Sequence, residues 1–358
     1  MMKGLKKWRL FAMFTVVAAF LAGCGEDYLS TLKPSGEVGR EQLNILVLSV
    51  IIMTFVVVVV SVIYLLAFAK FRRSKVGEDH MPKQVEGSHT LEVIWTVIPI
   101  ILLLILAVPT INSTYKFSDV SAMDEVDEQG NKTALTINVT AKLYWWEFEY
   151  PNYGIVTAQE LVVPTNQKVY FNLQAADVKH SFWIPAVGGK MDTNVENINK
   201  FFLVFDKESA SLNDGEGVFY GKCAELCGPS HALMDFKVKS LDRASFDSWV
   251  AAMKATEGQT ADKNSSDLGE ATFANNCLAC HAITAVGQAG AQGPNLTSFG
   301  DRNRIAGVLD HTEKELIKWI TDPEKYKEGN LMTGMYSKLS EEETKAVAEY
   351  LLKLSVEK

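Results

Sequence analysis

The sequence predicts a membrane protein of three parts: a hairpin of two spanning helices, an all-β sandwich and a small all-α domain. Two long apolar runs predict the spans, since about 20 apolar residues cross a bilayer. Short strand-like runs separated by Pro, Gly, Asn and Asp fill the middle of the chain, which is typical of a sandwich or barrel. Helical spacing of apolar residues marks the C-terminal part. The length of 358 residues allows two or three domains.

Residues 1–23 have the pattern of a signal peptide. Basic residues lie among positions 3–9, an apolar run covers 10–22, and a glycine precedes Cys24. A charged start, an apolar middle and small residues before a cut are typical of exported proteins. Cys24 as the first mature residue resembles a bacterial lipoprotein signal, in which the thiol is acylated. An ordinary signal peptide with an incidental cysteine is the alternative.

Residues 24–116 are predicted to form the membrane hairpin, with helices at about 42–70 and 91–115. Both helices contain uncharged runs long enough to cross the roughly 30 Å hydrocarbon core. The loop between them is basic, and basic loops stay on the cytoplasmic side. Both ends of the hairpin and everything after it are therefore expected outside the cytoplasm. Glu92 lies at the cytoplasmic end of the second helix. It is either a solvated carboxylate at the end of a helix or a group through which protons enter.

Residues 117–253 are predicted to form the sandwich. The run 135–142 alternates apolar and polar residues, as a half-buried strand does. Further strand-like runs follow between clusters of turn residues, at 144–150, 168–173, 200–205, 217–220 and 233–238.

Soft metal ligands are concentrated in residues 223–234, which we call the copper loop: Cys223, Cys227, His231 and Met234. Thiolate, thioether and imidazole together select copper among the biological metals. A mononuclear blue-copper site uses one cysteine, so the second thiolate points to two bridged copper ions in an electron-transfer centre. His180 follows an upstream strand-like run and is expected, in a loop at the same end of the sandwich, to supply the second imidazole.

Two other interpretations of the copper loop exist. In an exported protein Cys223 and Cys227 could form a small disulfide, which would leave His231 and Met234 as coincidences of spacing. A zinc site would prefer four cysteine or histidine ligands and gains nothing from a methionine. The donor set therefore favours copper.

A polar linker at 254–266 leads into the predicted all-α domain, residues 267–358. Helical runs are expected at 267–276, 313–321 and 341–354. Ser340, followed by three glutamates, is a good N-cap and first turn for the last of them.

The all-α domain contains the C-x-x-C-H pattern of c-type haem attachment, formed by Cys277, Cys280 and His281. The two thiols would bind the porphyrin covalently, and His281 would be the proximal iron ligand. A redox-active dithiol is the alternative. Met332 is expected as the distal iron ligand, in preference to Met335, because it fits a Gly-x-x-Met spacing before the last helix. The alternative for either methionine is that it only packs within the loop.

With these motifs in place, the chain resembles subunit II of haem–copper cytochrome c oxidase, in the bacterial caa-type form with a fused C-terminal cytochrome c domain. The resemblance covers nearly the whole chain. It implies that residues 117–253 form a cupredoxin-like domain with a binuclear Cu-A centre, and that 267–358 form a cytochrome c domain.

The resemblance also implies roles for individual residues. The copper ligands would be His180, Cys223, the backbone carbonyl of Glu225, Cys227, His231 and Met234. The Glu225 side chain would reach a magnesium ion at the interface with subunit I, with Asp177 and Asp192 near that route. Glu92 would stand at the entrance of a proton path into subunit I.

The aromatic run Tyr144, Trp145 and Trp146 departs from the family pattern. The family's patch beneath the cytochrome docking surface usually begins with Trp, and Tyr144 stands there instead. The difference weakens the expectation that a soluble cytochrome delivers electrons at this point, and a tethered haem could have relaxed the constraint. Aromatic filling of the core is the alternative for each residue.

The resemblance implies an electron-input subunit that passes electrons from its haem c to the binuclear copper and on to haem in subunit I. Oxygen is reduced to water there, coupled to proton pumping, so this chain contributes no catalytic residue of the oxygen chemistry. The alternatives are the electron-input subunit of a copper-containing nitric oxide reductase and a free membrane-anchored electron carrier. A quinol oxidase subunit II would not be expected to keep all the copper ligands.

The expected partners are oxidase subunit I, further membrane subunits, and a cytochrome c or upstream respiratory complex as electron donor. The net charge of −8 argues against nucleic acid as a partner. The expected location is the bacterial cell membrane, with two passes, a lipid anchor, and both termini and the redox domains on the extracytoplasmic side.

Overall fold

The computed structural model describes Trp8 and residues 11–16, 25–77, 80–212, 216–287 and 292–357. The expected acylation site, Cys24, lies outside these residues. The chain divides into two compact units, one formed by Arg40–Asp119 and the other by Met1–Gly39 together with Val120–Lys358.

The first unit is a pair of long apolar helices, α1 (Glu37–Phe71) and α2 (His89–Ser118). Both helices have strongly apolar central parts and are long enough to cross a membrane. Ser113 of α2 donates a hydrogen bond to Glu41 of α1 at 2.9 Å, which links the two helices. A short helical turn, Arg73–Val76, lies in the connecting loop.

Both helices extend beyond the ranges expected from hydropathy. Helix α1 begins at Glu37 rather than near residue 42, because hydropathy marks only the apolar span and polar residues continue the helix. The acidic side chain of Glu37 in the first turn also favours a helix start. Ser88 caps α2 by accepting a hydrogen bond from the backbone N–H of Leu91.

The second unit contains a sandwich of two five-stranded sheets, ordered β3-β2-β1-β5-β8 and β4-β10-β9-β6-β7. The strands are β1 (Thr136–Lys142), β2 (Trp145–Tyr150), β3 (Ile155–Ala158), β4 (Glu160–Pro164), β5 (Lys168–Ala175), β6 (His180–Trp183), β7 (Met191–Thr193), β8 (Asn199–Val204), β9 (Phe219–Cys223) and β10 (Phe236–Leu241). Strand β1 runs antiparallel to β2 and parallel to β5. We call this part, with the helix that follows it, the copper lobe.

An aromatic cluster fills the sandwich directly beneath the copper loop. Phe182 and Phe236 stack with ring centroids 4.8 Å apart, and Trp146 lies 5.6 Å and 5.3 Å from them. All three side chains are fully buried. Trp146 is therefore core filling, and its indole N–H also donates to the backbone carbonyl of Met234 at 3.2 Å.

Helix α3 (Arg243–Lys254) joins the sandwich to the C-terminal part and does not appear among the expected elements. Its buried residues, Phe246, Trp249, Val250 and Met253, recur at the i, i+3, i+4, i+7 spacing of an amphipathic helix. The ring of Trp249 packs against that of Tyr150 at 5.2 Å, so α3 belongs to the copper lobe.

The C-terminal part, which we call the cytochrome lobe, contains α4 (Leu268–Asn276), α5 (Glu313–Thr321), α6 (Glu341–Leu352) and a two-stranded ribbon of β11 (Arg304–Ile305) and β12 (Leu309–Asp310). Ser340 and Glu343 form a capping box at the start of α6. The helices bury a shared apolar core that includes Phe273, Leu316 and Val347.

The two lobes meet through backbone and buried polar contacts. Strand β3, at the edge of its sheet, forms a β-bridge from Ile155 to Val286 of the cytochrome lobe. Val156 N–H donates to the carbonyl of Ala285 at 2.8 Å. The buried ammonium of Lys237 donates to the carbonyl of Gly307 at 3.2 Å. The lobes are thereby parts of one compact unit.

Candidate metal centres

Strand pairing places the first donors of the copper loop beside His180. Strand β6 begins at His180 and pairs with β9, which ends at Cys223, with Phe182 opposite Cys223. The expectation that His180 lies in a loop is thus corrected: it is the first residue of a short strand, and it pairs with Thr193 of β7. The remaining donors lie in the connection from β9 to β10.

The expected copper-loop donors converge. The Cys223 sulfur lies 3.9 Å from Nδ1 of His180, and the Cys227 sulfur lies 3.7 Å from Nδ1 of His231. The Cys227 sulfur is also 4.0 Å from the sulfur of Met234. The two cysteine sulfurs are 3.9 Å apart and unbonded, so the disulfide interpretation does not describe this site.

Neighbouring groups orient these donors. The Cys223 thiol donates to the backbone carbonyl of Glu225 at 3.3 Å, so that carbonyl faces the site. Nε2 of His180 lies 2.8 Å from Oδ1 of Asp177, which leaves Nδ1 directed at Cys223. The other carboxylate oxygen of Asp177 accepts the backbone N–H of Leu143 at 2.7 Å. Asp177 therefore holds the imidazole in place, a contact that sequence spacing does not reveal.

The electrostatics of the cysteine pair suit a cation. Burial raises the pKa of Cys223, but hydrogen bonds with His180, with the backbone of Glu225 and Ser181, and with His231 together outweigh it and lower the pKa to about 7. Burial and the charge of Cys223 raise the pKa of Cys227 to about 12. The opposite shifts follow from the closeness of the two sulfurs, because a charge on one disfavours a charge on the other, and a cation bound between them would favour both thiolates. Two sulfurs, two imidazoles, a thioether and a carbonyl fit soft copper ions.

The cytochrome lobe contains a cavity of about 410 Å³ around the C-x-x-C-H motif. Cys277 caps the end of α4, and Cys280 and His281 follow in the next turn. All three line the cavity, as do both candidate methionines, Met332 and Met335. Other walls are apolar side chains from α4, α5 and α6, including Phe273, Leu316, Trp319, Ile320, Val347 and Leu351.

His281 is held ready to bind iron. Its Nδ1–H donates to the carbonyl of Pro294 at 2.7 Å, so Nε2 remains free for a metal. Burial lowers the pKa of His281, which favours the neutral, ligating form. A Cβ on Gly293 would lie 2.7 Å from Cε1 of the ring, so only glycine fits there. The free thiols, the neutral imidazole and the apolar walls fit a covalently held haem.

The two methionines differ in exposure. Met332 is partly buried, whereas Met335 is 62% exposed. The backbone N–H of Met332 is fixed at 2.9 Å by the side chain of Asn330. Of the two methionines, Met332 is therefore the one that lies deeper in the cavity wall.

The aromatic run lies between the two sites. Tyr144 and Trp145 line the cytochrome cavity together with Leu143. The Tyr144 hydroxyl packs so closely on Gly228 of the copper loop that a Cβ there would lie 2.4 Å from it. Tyr144 thus contacts the residue next to Cys227 on one side and faces the haem-binding motif on the other.

Two buried cations in the cavity wall were not singled out from the sequence. Burial lowers the pKa of Arg302 to about 10 and that of Lys327 to about 7. Arg302 donates to the carbonyl of Asn295, and Lys327 donates to the carbonyl of Tyr144 at 2.9 Å. A basic residue in a loop carries no local signal of burial, so only the tertiary contacts identify them.

The other expected site residues lie at the surface or half-buried. Glu92 is exposed in the first turn of α2. The Glu225 side chain is half-buried. Asp192 faces Lys179 and Lys190 at 3.7 Å and 3.8 Å, as a surface ion-pair cluster.

Three family models match the chain. They are the transmembrane domain of cytochrome c oxidase subunit II over residues 36–112, its periplasmic domain over 155–241, and cytochrome c over 266–355. Cytochrome c oxidase subunit 2 of Bacillus sp. (strain PS3) is 56% identical over the full length of both chains. The same subunit of Bacillus subtilis (strain 168) is 52% identical over 99% of each. A quinol oxidase subunit 2 of Bacillus cereus is 27% identical over 76% of this chain and 92% of its own.

Proposed function

The chain belongs to the cytochrome c oxidase subunit II family and is the electron-input subunit of a haem–copper oxidase, and we propose which of its residues perform that role. It is a two-pass membrane protein partnered with subunit I, with extracytoplasmic redox domains. The full-length oxidase relatives favour this function over a nitric oxide reductase subunit or a free carrier.

The copper site is proposed to use His180, Cys223, the carbonyl of Glu225, Cys227, His231 and Met234. The observation that carries this proposal is the pair of unbonded cysteine sulfurs 3.9 Å apart, each with a histidine Nδ1 within 3.9 Å. Within the described ranges, one group of three His, Cys, Asp or Glu side chains has its ligand atoms within 4.8 Å of one another. It consists of His180, Cys223 and Cys227.

The haem site is proposed to use Cys277 and Cys280 for covalent attachment and His281 and Met332 as axial ligands. When bound, haem c and the copper pair supply one-electron redox chemistry. The residues of this chain orient the donors, exclude water with apolar walls and bring the two sites together. Since Tyr144 faces the cytochrome cavity and packs on the copper loop, we place electron entry in the cytochrome lobe and exit to subunit I in the copper lobe.

The remaining proposals rest on sequence and resemblance. A cytochrome c or an upstream respiratory complex is the proposed donor, further membrane subunits complete the assembly, and oxygen reduction in subunit I is coupled to proton translocation. Glu92 is the proposed proton-entry group, and the Glu225 side chain the proposed magnesium ligand. The basic loop before α2 supports an extracytoplasmic position of both termini, and Cys24 is the proposed lipid anchor.

Electron paramagnetic resonance on the full-length chain, purified in detergent with copper and haem, tests both sites together with a reduced-minus-oxidised haem spectrum. We expect a hyperfine pattern from one electron shared by two coppers, beside a low-spin c-type haem. A mononuclear copper pattern would refute the shared-ligand assignment, and absence of copper would refute the site itself.

A further inference from the structure

Two consecutive residues of the cytochrome lobe, Glu328 and Gly329, lie directly on the copper loop, and Lys327 before them contacts Tyr144. Ser230 of the copper loop is buried, and its hydroxyl donates to the carbonyl of Glu328 at 2.8 Å. A Cβ on Gly329 would lie 3.5 Å from the ring of Pro229 and 3.6 Å from the Tyr144 hydroxyl, which is ordinary packing distance. We call residues 327–329 the clamp.

Lys327 is the buried member of the clamp, with 3% of its surface exposed. Its ammonium donates to the backbone carbonyl of Tyr144 at 2.9 Å, across the junction between the lobes. Burying an ammonium costs free energy unless polar partners compensate, so a lysine that serves only to fill space would be replaced at lower cost by an apolar residue. Its placement against Tyr144 therefore indicates a positioning role.

The clamp connects the proposed ligand segments of both sites. On one side, Gly228–Ser230 lie between Cys227 and His231. On the other, Gly329 precedes Met332 by three residues in a loop that Asn330 fixes through its side chain. A shift of the clamp would therefore change the separation between the copper donors and the cytochrome cavity.

We propose that Lys327 is a positioning residue that, with Ser230, holds the clamp against the copper loop and so sets the rate of electron exchange between the lobes. One electron leaves the cytochrome lobe as one arrives in the copper lobe, and no bond forms or breaks. This inference rests on the proposed function, because it requires both sites to be loaded.

The test is Lys327→Met in the complete oxidase, with Lys325→Met as a matched control, since Lys325 is an exposed lysine two residues earlier, at the end of a short 3-10 turn. The cytochrome site is reduced by a flash with a ruthenium photosensitiser, and the rate of electron arrival at the copper site is followed by absorbance. Losing the buried hydrogen bond from Lys327 to Tyr144 shifts the equilibrium between the held and the displaced clamp by roughly tenfold, and fast exchange requires the held arrangement. We expect the exchange rate of K327M to fall by about tenfold, and that of K325M to stay unchanged.

Spectra separate positioning from damage to the sites. K327M is expected to keep the copper hyperfine pattern and the low-spin haem spectrum of the parent. Because Lys327 lines the cytochrome cavity, both reduction potentials are measured, and the exchange rates are compared at equal driving force. An exchange rate equal to that of the parent would overturn the proposal. Where K327M does not fold, Ser230→Ala removes the other hydrogen bond of the clamp. Its exchange rate is expected to fall in the same way, and a rate equal to that of the parent would again overturn the proposal. Failure of the proposed function would give a different result: the unmodified oxidase would then lack either the binuclear copper hyperfine pattern or the c-type haem spectrum.

Discussion

The copper and cytochrome sites are built on different principles. In the copper lobe the donors touch one another at 3.7–4.0 Å, and strand ends and hydrogen bonds hold them. In the cytochrome lobe the binding residues surround a cavity of about 410 Å³, on a helix end and long loops. Cavities of this kind remove packing contacts that a lobe otherwise needs for stability. The sandwich is thus expected to preform its metal site, whereas the cytochrome lobe is expected to depend on its cofactor for folding.

The largest expected effect comes from removing haem attachment. Cys277→Ser with Cys280→Ser should eliminate covalent attachment of haem. Much of the cytochrome lobe should then unfold, because the apolar cavity walls lose the haem against which they would pack. The copper hyperfine pattern should survive, since the sandwich has its own aromatic core. Haem staining, thermal unfolding and electron paramagnetic resonance measure the three quantities. Loss of the copper signal in this variant would break the comparison.

The proposed axial methionine gives the next effect. Met332→Ala should lower the haem reduction potential by on the order of 0.1 V, since axial ligands set the potential over a wide range. Met335→Ala is the matched control, because Met335 lines the same cavity but is mostly exposed. Spectroelectrochemical titration measures both variants. A larger shift for M335A than for M332A would reverse the ligand assignment.

Orientation of His180 should matter less than loss of a ligand. Asp177→Asn weakens the contact that directs the ring, and changes of such outer partners typically cost 10- to 100-fold in metal affinity. Asp192→Asn, which alters only surface ion pairs, should leave affinity unchanged. Competition with a copper chelator gives both values. Equal affinities for the two variants would show that the strand alone positions His180.

The smallest effect is expected at the start of α6. Ser340→Ala removes a capping box in the cytochrome lobe and should cost about 1 kcal/mol of unfolding free energy. Thermal unfolding of the holo-protein, with the copper signal followed in parallel, would sharpen the comparison. A destabilisation confined to the haem signal indicates separate unfolding of the lobes, and a joint shift indicates that their junction couples them.

Local signals in the sequence predicted much of this architecture. Helix α5 was expected at 313–321, and the structure places it at Glu313–Thr321 because apolar spacing and an N-terminal cap agree there. Strands β3 and β4 were missed because every residue in them is buried, so no alternation marks them. The amphipathic spacing of α3 was present in the sequence and could have identified it.

Tertiary contacts could not be predicted from local patterns in the sequence. The polar linker allowed many placements of the cytochrome lobe, and its position depends on distant pairs such as Lys327 with Tyr144. Asp177 resembled an acidic residue near the subunit interface, and only the 2.8 Å contact between its carboxylate and Nε2 of His180 shows that it orients the ring.

The bridge between Ile155 and Val286 has a further consequence. Strand β3 is at the edge of its sheet, and residues 285–286 cover part of that edge with backbone hydrogen bonds. Unpaired strand edges invite pairing with other chains and lead to aggregation. A copper lobe cut away from its C-terminal partner would expose these backbone groups. The fused cytochrome therefore also protects the sandwich against self-association, and soluble versions of the copper lobe would benefit from a charged residue or a proline at this edge.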